Sequence, residues 1–64
     1  MDLKDLPAHD FIVGERVRTH PVTDAWMAGD RYGTVEKTGR VWLHVRMQRS
    51  GLLRRFLAQD VLHD

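Results

Sequence analysis

Between residues 32 and 47, YGTVEKTGRVWLHVRM, apolar side chains return at every second position. Val41, Leu43, Val45 and Met47 follow Val35, while Thr34, Glu36, Trp42, His44 and Arg46 fill the places between. A two-residue period marks a strand with one buried face, and Thr38-Gly39-Arg40 at the break reads as a tight turn, so the stretch predicts a β-hairpin. A lone hairpin is at best marginal in water, so the other short apolar runs must close over its apolar face.

The remaining segments supply those runs. In residues 11–19, Val17 alternates with Arg16 and Arg18, and Gly14 ahead of them suits a bend at positive φ; Val17 is expected to point inward, with Phe11 and Ile12 padding the floor of the core. Residues 20–31, HPVTDAWMAGDR, lose the period and predict one long loop. Trp26 and Met27 within it either fold back as a lid on the core or form part of a binding surface. Asp30 after Gly29 suits a turn in which the carboxylate accepts from local backbone amides. Residues 48–51, QRSG, predict a second turn, and residues 52–56 a short strand with Phe56 in the core. Residues 57–60 fit one 3₁₀ turn, and residues 61–63 a last strand pairing back with the first. Residues 1–10, with Leu3 and Leu6 before Pro7, read as an N-terminal strap or tail, and residues 11–64 as the domain.

Composition narrows the picture. A 64-residue chain builds one small core, and without cysteine neither disulfides nor thiolate zinc can reinforce it. Its net charge of +1 hides an uneven distribution. Residues 1–15 carry one base against four acids, residues 16–56 nine bases against three, and residues 57–64 two acids. Eight of the ten bases are arginine, which suits phosphate, carboxylate and aromatic partners as well as a solvated strand face. No apolar run approaches the roughly 18 residues of a membrane span and the N-terminus is acidic, so a cytoplasmic protein with no membrane partner is expected.

The order of five short strands, a long first loop, tight later turns and a 3₁₀ turn before the last strand resembles the SH3-like barrel family. Gly14-Glu15-Arg16-Val17, Gly33-Thr34-Val35, the Gly39 turn, and Phe56 followed by Gln59-Asp60-Val61 carry the likeness, over roughly residues 12–63. The pattern is shared by KOW-type ribosomal and transcription-factor domains and by small barrel subunits that dock on photosystem and ferredoxin-dependent reductases. It therefore specifies an all-β fold, a five-stranded SH3-like barrel, more closely than a function. Residues 20–35 also look similar to small uncharacterised barrels of bacteriophages and prophages.

Signatures of catalysis are weak. His9, His20, His44 and His63 lie far apart, Ser50 stands alone in a turn, and the glycines punctuate turns without forming a phosphate-cradling loop, so no enzyme, metal or cofactor is expected. The constellation of interest is on the outer face of the sheet, where Trp42, His44 and Arg46 alternate with core positions and Arg54 or Arg55 of the next strand lies beside them. With Arg16, Arg18 and Arg49 these residues suit nucleic acid, Trp42 stacking a base while guanidinium groups hold phosphates. The alternative partner is a protein, for instance a host factor, bound through Trp26, Met27 and Tyr32. The expected state is a monomer or a weak homo-oligomer, since an uncovered strand edge can self-pair.

Overall fold

The computed structural model describes residues 10–64. Of the expected strap or tail, residues 1–10, all but Asp10 lies outside them, Leu3 and Leu6 included. Five strands, β1 (Arg16–Thr19), β2 (Tyr32–Thr38), β3 (Trp42–Met47), β4 (Leu53–Leu57) and β5 (Val61–His63), form one antiparallel sheet in the order β4-β3-β2-β1-β5. A single 3₁₀ turn, Ala58–Asp60, joins β4 to β5. Those two strands are the opposite edges of the sheet. Laid flat, they would stand about 19 Å apart at ~4.8 Å per step. The four residue steps from Leu57 to Val61 reach at most about 14 Å even when extended. The sheet must therefore curl, and its concave face encloses the core.

That core is what the alternation predicts for Val17, Val35, Leu43, Val45 and Met47, with Phe56 and Val61 from the later strands and Phe11 from the entry segment, all buried. Two expectations fail beside it. Val41 is 55% exposed, because the hairpin connection runs from Gly39 to Val41, closed by the Gly39 N–H donating to the Trp42 carbonyl at 2.9 Å, and Val41 stands outside the ladder. Ile12 is exposed as well, and Phe11 alone fills the floor.

The stretch expected to be one long loop contains one turn of helix, α1 (Asp24–Met27). Thr23 caps it, its hydroxyl accepting from the Trp26 N–H at 3.2 Å, and Ala25 is the side chain it buries. Met27 is exposed and Trp26 only half-buried, so neither forms the lid that was one of their two expected roles. The 3₁₀ turn and the pairing of β5 with β1 are as expected, with Val17 opposite His63 and Thr19 opposite Val61.

Candidate nucleic-acid interface

Cross-strand register decides which side chains share the outer face. Arg16 of β1 pairs with Thr34 of β2, Thr34 with Arg46 of β3, and Arg46 with Leu53 of β4. One step along, Arg18 pairs with Tyr32, whose carbonyl accepts the backbone N–H of Gln48 at 2.9 Å. Tyr32, Arg16 and Gln48 are thereby brought together from three separate segments.

They line an open groove of about 500 Å³ whose other walls are Gly29, Arg31 and Arg49. The groove runs at one end into a hollow bordered by Arg46 and Thr34, sharing Arg16 and Gln48. At the other it adjoins a hollow formed by Arg18, Trp26 and Leu62, sharing Arg31 and Tyr32. The outer face thus carries a continuous basic strip with two aromatic rings set into it. The guanidinium of Arg31 lies 3.9 Å from the Trp26 ring centre, and that of Arg16 lies 5.5 Å from Tyr32.

The loops that bear these residues are tied by Asp30, which is 3% exposed. Its carboxylate accepts the Ser50 hydroxyl and the Arg54 Nε–H, each at 2.9 Å, and its carbonyl accepts the Thr19 hydroxyl at 2.9 Å. The carboxylate serves these distant side chains in place of the local backbone amides the sequence suggested. Burial by itself pushes the Asp30 carboxyl up, but the hydrogen bonds from Ser50 and Arg54 and the Arg54 charge outweigh it and hold the group below the usual value. Arg49 lies close over Gly29: a Cβ there would stand 2.5 Å from Nη1. Gly29 also has φ +96°, so both its backbone and its bareness are in use.

Arg46 donates to Glu36 at 2.6 Å and to the Gly51 carbonyl at 3.0 Å, and Arg16 pairs with Asp64 at 3.0 Å and Gln48 at 3.3 Å. The Glu36 hydrogen bond pushes the Arg46 guanidinium further up, so it is charged at every working pH. Exposed pairs of this kind are weak, so an incoming phosphate can replace the carboxylate.

The two sets of residues expected from sequence are rearranged. Arg16, Arg18 and Arg49, assigned to nucleic acid, share the strip with Trp26 and Tyr32, assigned to a protein partner. Trp42, His44 and Arg55 form a separate patch on β3 and β4, where the Arg55 guanidinium lies 4.8 Å from the Trp42 ring centre. Arg54 does not join them. It pairs in register with buried Val45, so it lies on the opposite face and turns to Asp30. Arg31 and Gln48 were missed: Arg31 directly precedes Tyr32 but closes a polar loop, and only the pairing of β2 with β3 brings Gln48, the first residue of a polar turn, to Tyr32.

Among the described residues no group of histidine and acidic side chains is placed to hold a metal, and no helix is long and apolar enough to cross a membrane. The chain matches no family model, no curated protein and no solved structure.

Proposed function

We propose that this domain is a non-enzymatic module that binds nucleic acid, DNA or RNA, through the basic strip of its outer face. The observation that carries the reading is the convergence of Arg16, Arg31 and Arg49 on one groove floored by Tyr32. Guanidinium groups take phosphates bidentately, and an exposed ring beside them takes a base. The SH3-like barrel is part of the same proposal: the strand order, the curl forced by the short β4–β5 connection and the 3₁₀ turn support it. A hydrolytic role has no support from Ser50, whose hydroxyl is engaged with Asp30 and the Leu52 N–H.

The test is fluorescence anisotropy of a labelled oligonucleotide with the full chain, from low to physiological salt. Affinity should fall with salt at a log–log slope of about −2 to −3 for a single strand neutralising about three to four phosphates. The double variant Arg16→Ala/Arg49→Ala should flatten that slope. Absence of binding at low salt overturns the reading. A second reading, a protein adaptor that could engage a host factor, rests on Val22 and Met27, which flank the buried Ala25 and are 73% and 76% exposed. It predicts binding that survives salt and fails in Met27→Asp.

A further inference from the structure

Resting on the nucleic-acid reading, we infer that the groove takes an unpaired nucleotide, its base stacked on the Arg31 guanidinium backed by Trp26 and its phosphate held between Arg16 and Arg49. Arg31 is exposed, and its guanidinium carbon lies over the Trp26 ring, 3.9 Å from the ring centre. It borders both the groove and the hollow that contains Trp26, so it forms a ledge between them. A guanidinium plane laid on a ring offers its free face to a base, as arginine does in single-stranded RNA recognition. On the facing wall Arg49 lies close to Gly29, and the backbone that carries it is tied by the adjacent Ser50, whose hydroxyl donates to Asp30. Walls held before the ligand arrives reduce the ordering cost of binding. The volume, about 500 Å³, lies in the range of roughly 300–1,000 Å³ common to small-molecule sites, room for one nucleotide. A base inside a duplex also has both faces covered by its neighbours, so it cannot use the ledge.

The experiment compares an oligothymidylate of about 12 nucleotides, a duplex of equal length and inorganic polyphosphate, each titrated into the full chain at low salt. In a Trp42→Phe background, Trp26 is the sole tryptophan and its emission reports the ledge. The single strand should bind about tenfold or more tighter than the duplex or polyphosphate and change the Trp26 emission. Arg31→Lys keeps the charge and removes the plane, so it should lose about tenfold on the single strand with the salt slope unchanged. Arg49→Lys should lose less, about threefold, because the ammonium still holds a phosphate as a point charge though without the bidentate pair. Equal binding of single strand, duplex and polyphosphate, or Arg31→Lys with wild-type affinity, overturns the ledge and leaves an electrostatic nucleic-acid site. No binding of any probe overturns both.

Discussion

Adding one methyl group at Gly33 tests how closely the central strands approach. Gly33 lies in β2 between Val17 of β1 and Met47 of β3, and a Cβ built there stands 2.5 Å from Val45 Cγ1 and 2.6 Å from the Arg46 carbonyl oxygen. Comfortable carbon contacts begin near 3.5 Å, so the overlap with the methyl is about 1 Å. Val45 cannot swing away, being 0% exposed in the core, and the Arg46 oxygen belongs to a ladder strand. Gly33→Ala must therefore move backbone, and overpacking of this kind costs about 1–3 kcal/mol. In a domain of this size each kcal/mol moves Tm by about 4–8 °C, giving an expected fall of about 5–20 °C. The control is Gly39→Ala in the β2–β3 connection, where the nearest atom, the Trp42 carbonyl oxygen, is 3.4 Å away. It should be neutral or stabilise by up to about 1 kcal/mol through the unfolded chain. Thermal melts by circular dichroism decide the matter. A Gly33→Ala protein melting within about 2 °C of wild type would refute the argument, as would a Gly39→Ala protein that melts as low as Gly33→Ala.

The other predictions concern two titrating groups and the separate Trp42 patch. His63 lies stacked on Phe11, with Nδ1 on Glu15 and Nε2 on Asp10 at 3.0 Å; the Glu15 bond first, then Asp10, raise its pKa above the ordinary 6.5. Its contribution is complete below pH 6.5 and disappears as pH rises through the raised value, so wild-type Tm should fall as pH rises above 6.5 while that of His63→Gln stays nearly flat. Parallel profiles would show that the two carboxylates do not depend on the imidazolium. Asp30 is the reverse case: held below 3.8, it stabilises above that pH and loses its effect as pH falls through its lower folded value. Asp30→Asn should thus lower Tm at neutral pH and soften the acid limb of the stability curve. Trp42→Ala should change oligonucleotide affinity by less than about twofold and cost about 1 kcal/mol or less, its cross-strand contact with Leu57 being half exposed. A larger affinity loss in anisotropy would move the site to the β3–β4 patch.

The strands were legible where a two-residue period runs against one buried face, as in Leu43, Val45 and Met47. The period fails to report interruptions. Val41 continues it in sequence but sits in the connection, and between Val35 and Lys37 the β2–β3 register slips at a bulge that the polar pair Glu36-Lys37 does not announce. Arg54 was misplaced because Leu52-Leu53-Arg54-Arg55-Phe56 has no clean alternation, and the reason it faces inward is a carboxylate 24 residues away. The groove was hidden for the same cause. Its arginines are visible in the sequence, but only the pairing of β1 with β2 and of β2 with β3 carries Arg16 and the turn bearing Arg49 to Arg31 and Tyr32.

The pairing of β1 with β5 bears on how the chain reaches this state. Val17 and His63 are 46 positions apart in a chain of 64, whereas β2, β3 and β4 follow one another through short connections. Closing a long loop costs entropy before any contact repays it, so the β2–β3–β4 meander should assemble early and the three residues of β5 should zip on last. Truncating Val61 would then accelerate unfolding and leave the refolding rate nearly unchanged, while truncating Val45 would slow refolding. The edge strand that completes the core thereby sets how long the folded domain lasts.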